Sequence, residues 1–327
     1  MEFRTELHLS DKQLTIGYED QILLIGSCFS DSIGKILSIK QFQTMVNPFG
    51  TVFNPLIICK LLINAIDKVK YTPEGLAELN GLFFHHDLHS KFSHSKQEKI
   101  LSKANKKLEK TSIFLKTADY LVLTFGSSIG YYLKSSGEVV GNCHKISSDQ
   151  FDKRFITDKE LKEAFKSLLE KLAIINPGLK IILTVSPIRH TREGLTENSR
   201  SKARLIELSH YLASSYDAID YFPSFEIMID DLRDYRYYES DLIHPNQTAV
   251  QYIFDKFKSA YFFDHTLDQL KKIEKLQSAI NHKSLHVNSQ QHQDFLKKLL
   301  IDIDSVEQSF GRAIFRKAKK KINKQIL

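Results

Sequence analysis

A doubly wound α/β/α sandwich with a parallel central sheet is what this sequence predicts, and three observations predict it. Near-continuous apolar, β-rich runs recur at long spacing, as strands buried on both faces do. Helical patterns separate these runs, so strand and helix alternate along the chain. Over 327 residues, 42% are apolar and 26% charged. That supplies a core and excludes a disordered or collagen-like chain.

The elements follow in order. Gln21–Ile25 (QILLI) reads as the first strand and Asp31–Ile39 as the helix after it. Phe42–Val46 is the second strand. Leu56–Val69 is helical and follows Asn54-Pro55, the proline suiting a first helical turn. Lys96–Lys116 is a further helix and Tyr120–Phe125 (YLVLTF) the third strand. Lys134–Gly137, between β-rich flanks, marks the tip of an inserted hairpin. The helix Asp158–Ile175 is stopped by Asn176-Pro177-Gly178. Lys180–Val185 (KIILTV), Glu197–Ser214 and Ala218–Phe222 then complete the alternation as strand, helix and strand. The expected strand order is 2-1-3-4-5.

From about Phe263 the pattern becomes helical, charged and strand-free: Leu267–Ile280, Gln290–Asp304 and Val306–Lys324. The expected division is residues 1–262 as the α/β domain and 263–327 as a helical extension with a basic tail. Leu270, Ile273, Leu276 and Ile280 recur at three- and four-residue steps, as do Phe295, Leu299 and Ile303. Each such face must be covered, by the α/β domain or by a second subunit in an oligomer.

Charge narrows the partners. The net charge of +7 equals the seven cations after Glu307 (Arg312, Arg316, Lys317, Lys319, Lys320, Lys321 and Lys324), where no acid stands. The body before them is balanced, so no basic face and no nucleic-acid partner is expected. Ala313, Ile314, Phe315, Ala318 and Ile322 interrupt the tail. Weak contact with an anionic membrane is one use for such a tail, and a solvated helix end is the other. No apolar run approaches the roughly 18–20 residues of a membrane span. No basic-then-apolar leader opens the chain, and the three cysteines (Cys28, Cys59, Cys143) are too few for a disulfide scaffold. A cytoplasmic setting is the expectation.

Two segments carry the chemistry. Gly26-Ser27-Cys28-Phe29-Ser30 follows the first strand and precedes a helix, which puts a small nucleophile where open α/β sheets bind ligands. The adjacent helix N-terminus lowers a thiol pKa and holds an oxyanion; packing of Cys28 is the alternative. Asp241-Leu242-Ile243-His244 spaces an acid and an imidazole so that the acid orients one ring nitrogen and frees the other to take a proton. Polar residues end the third and fourth strands, at Thr124–Ser128 and Thr184–His190. In a parallel sheet they share an edge with Cys28. Asn142-Cys143-His144 cannot alone make a four-ligand site, and the run His85, His86, Asp87, His89 and His94 lacks metalloprotease spacing. No metal is expected. With no glycine-rich phosphate loop, no cofactor is expected either.

These segments, in this order, resemble the GSCFA domain family, a bacterial branch similar to the SGNH (GDSL-like) hydrolases. The name-giving Gly-Ser-Cys-Phe-Ala stands here as Gly26–Ser30, with Ser at the last position. The likeness continues through Asn47-Pro48-Phe49-Gly50-Thr51, Asn142–Lys145, Thr184–His190, Asn198, Ser201-Lys202-Ala203, Tyr221-Phe222-Pro223, Glu226, Leu232–Arg236 and Asp241–Pro245. The resemblance covers about residues 20–260 and implies a flavodoxin-like three-layer α/β/α fold with its site at the strand ends.

By the same resemblance, Cys28 takes the nucleophile position of the SGNH Gly-Asp-Ser block, with Ser27 second, and Asp241 and His244 match the Asp-x-x-His block. Gly50 corresponds to the oxyanion glycine. Gly126-Ser127-Ser128 stands where SGNH enzymes have Gly-x-Asn, so Ser128 replaces the Asn, with Asn142 a substitute donor. The expected function is therefore acyl-ester hydrolysis or acyl transfer on a small-molecule or carbohydrate-linked substrate. The alternative is a catalytically silent SGNH-like module that binds a glycan or acyl ligand. Two further expectations follow. The Cys28 pKa should fall below about 7.5. Arg189, His190, Asn198, Lys202 and Arg233, with His144, should wall an anionic or hydroxyl-rich ligand, unless the cations form an ion-pair network with Glu226, Asp234 and Glu239.

Overall fold

The computed structural model describes residues 5–9, 14–282 and 284–326. Five parallel strands form the central sheet: β1 (Gln21–Gly26), β2 (Gln43–Val46), β3 (Tyr120–Phe125), β4 (Lys180–Val185) and β5 (Ile219–Phe222). Their spatial order is 2-1-3-4-5, as expected, and every pairing is parallel.

Strand geometry sends successive side chains to opposite faces, and the core follows that alternation. Leu23, Ile25, Leu121, Leu123, Ile181 and Leu183 pack into one layer with α2 (Pro55–Asp67), α3 (Gln97–Leu115), α4 (Asp158–Ile175) and α5 (Leu195–Ser215). Ile22, Leu24, Val122 and Ile182 point the other way, onto α1 (Cys28–Ile39) and α6 (Gln247–Tyr261). The result is a three-layer sandwich with both faces of the sheet covered.

Helix starts are set by local chemistry. Asn54 caps α2 through the Leu56 N–H (2.9 Å) with Pro55 at the first position, and Thr157 with Glu160 forms a full capping box on α4. The inserted hairpin lies where the sequence put it. Ile129–Leu133 pairs antiparallel with Val139–Val140 and with Phe151–Phe155, and Leu133 N–H closes the tip on Glu138 O (2.8 Å).

The C-terminal helices are α7 (Asp264–Asn281), α8 (Gln290–Phe310) and α9 (Arg316–Asn323). Their apolar faces join the layer beneath α1 and α6: Leu270, Ile273, Leu276, Leu299, Ile303, Phe315 and Ile322 are all buried there. Thus the α/β domain itself is their cover. The break expected at Ser305 is absent. Nothing at that position interrupts a helix, whereas Gly311, with φ +61°, ends α8 in the left-handed conformation glycine tolerates. Among the described residues, no helix is long and apolar enough to cross a membrane.

Candidate active site

The chain runs from β1 to β2 on one side of the sheet, and β3 lies on β1's other side. The loops after β1 and β3 part at this switch point, where a sheet of this order opens a ligand crevice. Gly26 makes the first turn. Its φ of +154° and its contact with β3 leave no room for a side chain, since a Cβ would fall onto Thr124 backbone. Ser27 follows as the N-cap of α1. Its Oγ accepts the Phe29 N–H (3.2 Å) and donates to Ser186 Oγ (2.9 Å), and the residue is 1% exposed. Ser27 is therefore a buried tie between the loops after β1 and β4.

Cys28 is the first residue of α1 and is exposed, so helix α1 begins three residues before the expected Asp31. Its thiol nonetheless departs from expectation. Loss of water around the sulfur raises its pKa above the ordinary value. Its own backbone N–H draws it back in part, and the Asp31 carboxylate one turn on pushes it up again. The helix N-terminus is present, but desolvation outweighs it and the neighbouring charge is an acid rather than a cation, so the expected fall does not occur.

His244 and Asp241 form a close pair. Nδ1 of His244 lies 2.7 Å from Asp241 Oδ2, and Asp241 Oδ1 accepts the N–H groups of Ile243 (2.9 Å) and His244 (3.0 Å). Those bonds bring the Asp241 carboxyl down to about 2. An Nδ1–H donated to a carboxylate leaves Nε2 as the proton acceptor. Leu242, with φ +57°, makes the turn between the two. Arg189, just past β4, holds this turn: its N–H donates to Ile243 O (3.1 Å) and its guanidinium to Leu242 O (3.0 Å). Cys28 and His244 thus stand at loops of the same carboxyl edge, one after β1 and one docked on β4. No hydrogen bond joins them among the described residues.

Several expected wall residues turn inward. Lys202, on α5, is 1% exposed, and its ammonium donates to Gly126 O (2.8 Å) and Ser186 O (2.7 Å). It clamps the loops after β3 and β4 instead of facing a ligand, and burial pushes its pKa down to about 7. Ser128 is fully buried. Its N–H and hydroxyl both go to Ser201, so it offers nothing to an oxyanion. The amides of Gly50 and Gly126 are likewise engaged, with Asn47 O and Phe53 O (both 2.9 Å).

Asn142 and His144 belong to the insert. Asn142 N–H donates to His86 O (2.9 Å) and His144 Nε2 lies 3.0 Å from His85 O. His190 packs on Phe53, its ring centroids 5.0 Å apart, and burial first, then Lys202 and His244, push it down to about 3. It is neutral. Asn198 Oδ1 holds the His190 N–H (2.8 Å).

The alternative, an ion-pair network with Glu226, Asp234 and Glu239, does not form around these cations among the described residues. Arg233 pairs with Asp230, Asp234 with Arg236 (2.9 Å), and Glu226 accepts from Tyr221, leaving Arg189 without a carboxylate among the described residues. Ser186 lies within the Thr184–His190 segment at the expected edge, and Asn47 is a further residue of the site. Asn47, in the left-handed region at φ +39°, accepts the Gly26 N–H (2.9 Å) on Oδ1, and its Nδ2 is buried without an acceptor. Its place in the Asn-Pro-Phe-Gly turn was the available signal. No group of three or more metal-ligating side chains occurs among the described residues.

Comparison with known proteins agrees with the motif reading at the family level. No curated protein matches the chain. It is similar in structure to a chain from Streptococcus pneumonia whose name refers to a platelet activating factor, with a TM-score of 0.40 and 12% identity over 73% of this chain and 83% of that one. The model of the C-terminal domain of GSCFA domain proteins matches residues 273–327. The GSCFA family model matches residues 21–257, which hold every strand of the central sheet, the Cys28 turn and the His244 pair, and the chain therefore belongs to the GSCFA family.

Proposed function

We propose that the protein is an acyl-ester or thioester hydrolase, or an acyltransferase, with Cys28 as nucleophile and His244 with Asp241 as its base. The observation that carries the reading is the oriented His244–Asp241 pair (2.7 Å) on the same sheet edge as an exposed cysteine at a helix N-terminus. Ser27 is the weaker nucleophile candidate, because its hydroxyl is buried and already serves Phe29 and Ser186. In the reaction, Cys28 Sγ bonds to the acyl carbon while its proton passes to His244 Nε2. The leaving oxygen or sulfur departs with that proton. Water, or another acceptor, then takes the acyl group from sulfur. The thiol is protonated at rest, so the base must act during attack, a role worth about 10²–10⁴ in rate. With the amides of Gly50 and Gly126 engaged, this reading assigns the oxyanion to the Cys28 N–H at the start of α1. The resemblance of Gly26–Ser30 and Asp241–Pro245 to the SGNH sequence blocks is in keeping with this assignment of roles, and three free cysteines fit a reducing, cytoplasmic setting.

The raised thiol pKa and the absent Cys28–His244 hydrogen bond favour a second reading, a silent module that binds an acyl or glycan ligand. A panel of aryl esters and acyl thioesters separates the two. Turnover that Cys28→Ala abolishes and His244→Ala lowers by about 10²–10⁴ supports the enzyme. Turnover untouched by both substitutions, or none on any substrate, leaves the binding module.

A further inference from the structure

We propose that the groove beside Arg189 is the acyl-chain subsite of this site, shaped for an unbranched apolar chain whose oxygen-rich end lies at the Arg189–His244 turn. This inference rests on the acyl reading above. The groove encloses about 370 Å³, within the range of ligand sites, and Leu195, Phe225, Met228, Ile229, Leu232 and Tyr235 line it. Leu195, Ile229 and Tyr235 are 54%, 40% and 63% exposed. Single exposed apolar residues need no explanation, but three on the wall of one groove do.

Two residues join the groove to the candidate active site. Arg189 lines it and also holds the carbonyl of Leu242 in the His244 turn. Asn198 lines it and holds the His190 N–H.

Charge selects the occupant. Of the charged residues on the lining, Arg233 is neutralised by Asp230 and Asp234 by Arg236, while Arg189 has no acid partner among the described residues. Its guanidinium carbon lies 5.4 Å from the Tyr238 ring and 5.7 Å from that of Tyr235. An apolar stretch of wall together with one cation that has no carboxylate partner among the described residues suits a chain that ends in a carboxyl-derived group.

Calorimetric titration of the full chain with butyrate, hexanoate, octanoate and decanoate tests this. Affinity should rise about threefold to fourfold per added methylene until the groove is filled. Leu195→Glu and Ile229→Glu alter exposed positions, and an unchanged melting temperature confirms folding. Both should remove the dependence on length, and Arg189→Ala should weaken every chain alike by about tenfold. Affinities that ignore chain length, or a length dependence that survives both glutamate variants, overturn the groove. Length-dependent binding without Cys28-dependent turnover overturns the catalytic reading and leaves the groove standing. Turnover with no length dependence does the reverse.

Discussion

Adjacent residues at the end of β1 have opposite fates. Ser27 turns in, because a helix N-cap must aim its oxygen at the first free amides. Cys28 then occupies the first helical position and turns out. Loss of water around the sulfur raises its pKa, and the Asp31 carboxylate one turn along adds to that rise. Alkylation of Cys28 with iodoacetamide should therefore accelerate above the ordinary thiol range of about 8.5, not below it. Asp31→Asn should shift that profile downward and raise the rate at neutral pH a few-fold. An unshifted profile would show that Asp31 does not act on the sulfur. At the His244 pair, Asp241 stays ionised down to about pH 2. Asp241→Asn should cost about as much rate as His244→Ala, since the Nδ1 partner fixes the tautomer; a pH–rate profile of both variants checks this.

Among the elements, short caps decide where the site's loops end. Asn246 is the clearest. Its Oδ1 accepts the Ala249 N–H (3.1 Å) at the start of α6, and its Nδ2 donates to Arg236 O (2.7 Å), so one side chain starts the helix and closes the loop that carries His244. Asn246→Ala should destabilise the protein by about 1–2 kcal/mol in urea unfolding and lower any His244-dependent turnover as well. Thr157→Ala removes a cap of similar strength from α4, far along the chain from the His244 loop, and should cost about 1 kcal/mol without touching turnover. Equal loss of turnover in the two variants would place the effect in global stability.

The whole molecule holds a lysine where charge is least welcome. Lys202 has a folded pKa near 7 against an ordinary 10.5, with desolvation as the cause. Between those values the unfolded chain binds a proton that the folded chain does not, so stability rises with pH and is lowest where both states are protonated. From about pH 7 to about pH 8.5 this rise should appear in thermal melts of the native chain and vanish in Lys202→Met. A rise that persists in the variant assigns it to another group. At the far end of the chain, the basic helix α9 buries Ile322, and Arg312 reaches back to Tyr18 O and Gln41 O (both 3.0 Å). Deleting Arg312–Leu327 removes two buried side chains, Phe315 and Ile322, and should cost about 3–6 kcal/mol in urea unfolding. With Phe315 and Ile322 already covered by the protein, the tail should not sediment with anionic liposomes. Salt-sensitive sedimentation lost on deletion would instead establish the membrane contact.

By itself the sequence determined the alternation of strand and helix, the 2-1-3-4-5 sheet, the hairpin tip and the two chemical motifs. Each is written in residues close along the chain: a run of Val, Ile and Leu, a cap, a proline at a helix start, an acid three residues before a histidine. Tertiary structure alone decided that Ser27 is buried against Ser186, 159 positions away, while Cys28 faces out. It also decided that Lys202 and Ser128 turn inward, that the thiol pKa rises, and that side chains spread from Arg189 to Tyr238 line one groove. The reason is that periodicity and capping are local, whereas desolvation, charge pairing and concavity are sums over neighbours that only the packed chain brings together.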